Sequence, residues 1–117
     1  MTKKISPKAA LTMGASQKLD RWLGENLGLW IGGARDSFVL PFSREVPFVM
    51  DIEKHLFAQW WFLEIRRREN HWEARFQYAS VRRDDSKIWQ YAKTLPLAIC
   101  RAAIATLIEY QEEKPAE

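Results

Sequence analysis

The sequence predicts one α+β domain, with an antiparallel sheet (a hairpin over residues 58–79 plus one or two short strands) packed between or against three helices. Three observations predict it. Apolar residues recur at helical spacing in three segments. Between the second and third segments the period changes to two, over two runs joined by a short turn. The order helix, helix, hairpin, helix keeps strands together, which is the α+β pattern and not a βαβ alternation.

The first helix follows Ser16, a good N-cap, and carries Leu19, Trp22, Leu23 and Leu27 on one stripe. Gly24 weakens it, and Gly28 suits the left-handed position after its end. The glycines of "WIGGARD" suit a turn, and "DSFVLPF" reads as a short extended piece because Pro41 disfavours helix at Leu40. Ser43 is the expected cap of a second helix, with Pro47 in its first turn and Val46, Val49, Met50, Ile52, Leu56 and Phe57 on its stripe.

"AQWWFLEIRRR" then reads as a strand. Trp61, Leu63 and Ile65 share one face; Trp60, Phe62, Glu64 and Arg66 share the other. "HWEARFQYA" alternates likewise, with Trp72, Ala74, Phe76 and Tyr78 opposite His71, Glu73, Arg75 and Gln77. Large aromatics on both faces of the first strand imply that both faces are covered, by a helix or by another subunit. "KIWQYAK" reads as a third strand or a helical turn. The closing helix starts at Thr94 and Pro96, with Leu97, Cys100, Ile104, Leu107 and Ile108 on its stripe.

With 117 residues, 47% of them apolar, the chain suits one core. Residues 1–15 read as a flexible or partly helical basic arm, 16–110 as the domain and 111–117 as an acidic tail. No apolar run reaches membrane-spanning length, and the lysine-containing start lacks the apolar stretch of a secretory leader. The single cysteine has no internal disulfide partner, so a reducing cytoplasm is expected. Net charge is only +3, which falls short of a typical nucleic-acid-binding domain.

"LPLAICRAAIATL", Leu95 to Leu107, closely resembles the closing motif of the phage ABA sandwich domain family, small proteins of phages and prophages. "KLDRWLGENLGLW" is similar to that family's opening helix, and "LPFSREVPFVMDIEKHL" resembles its second. The resemblance runs from about Ser16 to Glu109. It departs at Pro47 and Phe48, where the family continues into an alanine-containing helix start, so this helix is expected to begin later. The resemblance implies a phage-related origin, a layered domain, and the cytoplasm of a host bacterium as the setting. It brings no set of catalytic residues.

Among candidate sites, Cys100 lies on the apolar stripe and reads as core, and Arg101 as a snorkelling side chain paired with a carboxylate. Arg66, Arg67, Arg68, Arg75, Arg82 and Arg83 fall within 18 residues. Two readings stand. If Glu64 and Glu73 face them, the arginines form a solvated cross-strand ion network. Otherwise Arg66, Arg68, Arg75, Arg82 and Arg83, with Trp60 to stack on a ring, form a site for an anionic, nucleotide-like ligand. Asp84 and Asp85 read as a solvated turn. Two histidines are too few for a metal site. No cofactor is expected.

The function expected from these features is a small non-enzymatic phage-type binding protein, a candidate anti-defence factor, that interferes with a host process by binding an anionic small molecule. The alternatives are inhibition of a host protein, or a nucleic-acid-binding accessory role with steep salt dependence. A homo-oligomer is the expected state, and no membrane association is expected.

Overall fold

A computed structural model describes residues 5–27, 40–79 and 87–113, the last four as backbone. Its order is α1 (Pro7–Leu11), α2 (Gln17–Leu27), α3 (Val46–Phe57), β1 (Trp61–Arg67), β2 (Trp72–Tyr78), β3 (Gln90–Ala92) and α4 (Leu95–Glu113). This is the expected α+β class. Gly28, "WIGGARD", Arg82, Arg83, Asp84 and Asp85 lie outside the described residues, as does most of the extended piece before Phe42.

Local chemistry starts the first two helices. Ser6 Oγ accepts from the Ala9 amide at 3.1 Å, with Pro7 at the first helical position. Ser16 Oγ accepts from the Leu19 amide at 3.2 Å, as its cap position predicts. Residues 5–14 are not a free arm. Ala10 is fully buried, and Ile5, Leu11 and Met13 pack against the core. Small Ala10 lets α1 approach α4 closely, and the Trp22 indole donates to the Ile5 carbonyl at 2.9 Å.

Ser43 is not the cap of α3. That helix starts at Val46 with Glu45 in the cap position and no side-chain cap bond, while the Pro41 carbonyl accepts from the Arg44 and Glu45 amides. Ser43 is instead fully buried. Its amide donates to Asp20 Oδ1 at 2.7 Å, and its hydroxyl accepts from the Ser16 amide at 3.2 Å. A serine before a helix and a serine tying two helices together look the same locally. Two residues of the expected stripe, Val46 and Phe57, are exposed at the ends of α3, and Val49, Ile52 and Leu56 carry its buried face.

The sheet order is β1-β2-β3, antiparallel throughout. The hairpin pairs Leu63 with Phe76, Glu64 with Arg75, Ile65 with Ala74 and Arg66 with Glu73. β1 begins at Trp61. Trp60 sits in the preceding turn with φ 73°, a left-handed conformation uncommon for a bulky residue, so it lies outside the strand face to which alternation assigned it. The third element is a strand, paired with residues 72–74 of β2.

α4 and the buried side of α3 pack on one face of the sheet, and only the last residue of α3, Phe57, reaches the ring of Phe62 on the other. Ala74, Phe76 and Ala92 are buried on the first face under α4, while α3 covers β1 and touches α4. Ala98, Ile99, Cys100, Ala102, Ala103 and Ile104 are at most 1% exposed, so α4 is buried on the sheet side and on the helix side together. Alanines at these positions allow that double approach. α4 continues to Glu113, through the first residues of the expected acidic tail. Among the described residues, no helix is long and apolar enough to cross a membrane.

Candidate functional site

On the outer sheet face, pairing fixes which charges meet. Phe62, Glu64 and Arg66 of β1 stand beside Gln77, Arg75 and Glu73 of β2, and Tyr91 of β3 stands beside Glu73. Arg66 Nε donates to Glu73 Oε1 at 2.6 Å, and Arg68 Nε to the same oxygen at 2.7 Å. His71 lies 3.6 Å from the other oxygen. Arg75 Nε donates to Glu64 Oε1 at 2.7 Å, which also accepts from Gln77 at 3.1 Å. Hydrogen bonds from Arg66 and then Arg68 lower the Glu73 pKa to about 2.

The cluster is thus a cross-strand ion network, but it is solvated only in part. Arg66 and Arg68 keep side-chain exposures of 39% and 50%; Arg75 keeps 4%. The cause is Trp89. Its ring stacks with two guanidiniums, 4.0 Å from that of Arg66 and 4.2 Å from that of Arg75. Arg75 Nη1 also donates to the Lys87 carbonyl at 2.8 Å, which holds the segment before β3 on this face. The second face is therefore covered at its centre by one side chain of the same chain; among the described residues no helix covers it.

Of the expected ligand-binding residues, the structure brings together Arg66, Arg68 and Arg75. Trp60 is 65% exposed at the α3–β1 turn, near Phe57 and Phe62, whose rings meet edge to face at 5.1 Å. Arg82 and Arg83 fall among residues that are not described. Among the described residues, Arg101 pairs with no carboxylate. Its Nη1 donates to the Tyr91 carbonyl at 2.9 Å and its Nη2 to the Met13 carbonyl at 3.2 Å. Cys100 is fully buried, and burial first, with the Asp20 charge second, pushes its thiol pKa up, so it is no nucleophile at neutral pH.

Sequence reasoning missed a groove of about 740 Å³ between the turn end of the hairpin, β3 and the start of α4. Asn70, His71, Glu73, Tyr91, Lys93 and Arg101 line it. The Tyr91 ring is 64% exposed and lies 5.6 Å from the His71 ring. The signal available in the sequence was "YAK" directly before the closing helix: an aromatic and a cation beside a helix start. Among the described residues, no three His, Cys, Asp or Glu side chains are grouped to hold a metal ion.

No protein-family model, no curated protein and no solved structure matches this chain.

Proposed function

We propose that the protein is a non-enzymatic binding protein whose groove beside β3 receives an anionic ligand with a planar ring, a nucleotide-like molecule. The observation that carries this reading is the joint placement of Tyr91, Lys93, His71 and Arg101 around one concavity of ligand size. Tyr91 offers a ring face, and Lys93 is an exposed point charge. Arg66 and Arg68 already neutralise the groove's carboxylate, Glu73. The reading moves the expected anion site from the arginine ladder to its neighbour, because an anion on the ladder would have to displace Glu64 or Glu73 from short hydrogen bonds. A binder is favoured over an enzyme because the one thiol is buried and, among the described residues, the outer-face carboxylates Glu64 and Glu73 are tied to arginines. The resemblance of the closing helix to the phage family supports a role against a bacterial host process.

Thermal denaturation with a panel of nucleotides tests this. A true ligand at about 100 times its Kd raises the midpoint by roughly 10 °C. Lys93→Glu and Tyr91→Ala should each abolish that rise while leaving the unliganded midpoint near that of the parent. No rise with any nucleotide, or a rise that survives both substitutions, refutes the groove as an anion site.

A second reading is favoured by one specific observation. Phe57, Trp60 and Phe62 are 54%, 65% and 41% exposed at one corner, the kind of aromatic cluster that anchors protein partners. Co-purification of a host protein that is lost with Trp60→Ser and retained with Lys93→Glu would select that inhibitor role.

A further inference from the structure

The two edges of the sheet are finished differently. Tyr91 pairs with Glu73 between the pairs Trp72 with Ala92 and Ala74 with Gln90, and the Arg101 guanidinium takes its carbonyl. That edge is capped by a side chain. β2 extends past β3, and the carbonyl of Phe76 accepts from Lys87 Nζ. The opposite edge is β1, seven residues long and terminal in the strand order.

Two hydrogen bonds tell which groups β1 turns outward. The Trp60 carbonyl accepts from the Ala79 amide at 2.7 Å, and the Arg68 amide donates to the His71 carbonyl at 2.8 Å. Both continue the ladder register, so the even-numbered residues of β1 direct their backbone groups at β2. Trp61, Leu63, Ile65 and Arg67 direct theirs away from it. Among the described residues, no backbone group meets them. Such an edge is a template for another strand. Ile65 in its middle is 40% exposed, although it lies on the helix-covered face.

We infer that β1 pairs antiparallel with β1 of a second copy about a two-fold axis through Ile65, joining two sheets into one. Charge narrows the register: like charges exclude centres at Glu64 and Arg66, and opposed Glu64–Arg66 pairs favour Ile65 over Leu63, where Glu64 meets only Phe62. A two-fold perpendicular to the sheet keeps faces matched only when it passes through a residue. Centred on Glu64, it sets Glu64 against its own copy. Centred on Arg66, it sets Arg66 against its own copy. Centred on Ile65, it sets Glu64 against Arg66, Phe62 against Arg68 and Leu63 against Arg67, with Ile65 against Ile65. No like charges face each other in that register, and the outward backbone groups supply roughly six hydrogen bonds across the axis. This pairing does not depend on what the groove binds.

Sedimentation at high micromolar concentration should show a dimer. Ile65→Lys places two ammonium groups on the axis and should weaken that dimer by at least roughly 100-fold, with the monomer's thermal midpoint little changed. The register has its own readout. Phe62 and Arg68 of different copies form a pair with Cα atoms about 4.5 Å apart, within disulfide range. Phe62→Cys and Arg68→Cys proteins, mixed and oxidised, should cross-link as a heterodimer, and neither should cross-link alone; buried Cys100 stays silent. A monomer at all concentrations, a dimer that survives Ile65→Lys, or cross-linking within one variant alone would overturn the inference.

Discussion

Two of the carboxylates that bind arginine in this protein, Asp20 and Glu73, do so for opposite ends. Asp20 is fully buried and sits between α2 and the entry to α3, where it takes the Ser43 amide at 2.7 Å and Arg44 Nε at 2.8 Å. Glu73 stands on the outer sheet face with 15% of its side chain exposed and with Arg66, Arg68 and His71 beside it. Asp20 joins distant pieces of backbone, so its hydrogen bonds fix the fold. Glu73 joins side chains on adjacent strands that the backbone ladder already holds, so its bonds set charge and not topology. A short carboxylate–arginine distance alone therefore does not measure structural weight.

Breaking Asp20 should have the largest effect. Asp20→Ala leaves the buried Ser43 amide without its acceptor and opens a void, and should cost about 3 kcal/mol in urea unfolding. Arg75→Leu comes next, at about 2 kcal/mol, because a buried guanidinium loses Glu64, the Lys87 carbonyl and its stack on Trp89 together. Tryptophan emission should shift to the red in that variant as Trp89 gains water.

Glu73 sharpens the contrast through pH. Its pKa is about 2 in the folded chain against an ordinary 4.5, so the unfolded chain binds more protons between those values. Its contribution is fully present above about pH 4.5 and is lost as pH falls through about 2. Glu73→Gln should flatten the rise of unfolding free energy across that window, as followed by urea titration at several acid pH values. Arg68→Ala should have the smallest effect, within about 0.5 kcal/mol, because Arg68 is half exposed and Arg66 remains on Glu73.

Where a residue's partners are near in sequence, the residue could be read. Ser16 caps a helix through an amide three residues on. The alternation around Leu63 and Phe76 gives the hairpin its faces, and the Glu64–Arg75 and Arg66–Glu73 pairs follow once the strands are aligned. Partners brought together only by folding left no local trace. Ser43 obeys the pattern of a cap and serves as a tie to residues more than twenty positions earlier. Trp89 stands outside the alternating runs, and nothing in "KIWQYAK" says that its ring stacks with both Arg66 and Arg75. Trp60 fits the strand period but is turned out of the strand by a left-handed backbone that periodicity does not encode. The groove needs β3, the hairpin turn and α4 at once, so no single segment announces it.

The clasp of Arg101 on the Met13 carbonyl spans 88 residues of chain. α1 is five residues long, too short to hold its shape alone, and it packs on the last helix of the domain. At ordinary rates of synthesis, roughly 4 to 18 s separate the making of Met13 from the making of Arg101. For that interval α1 lacks the α4 surface on which it packs. α1 leaves the ribosome well before the helix it packs on, and a chain arrested before α4 presents residues 5–14 open to proteases and chaperones.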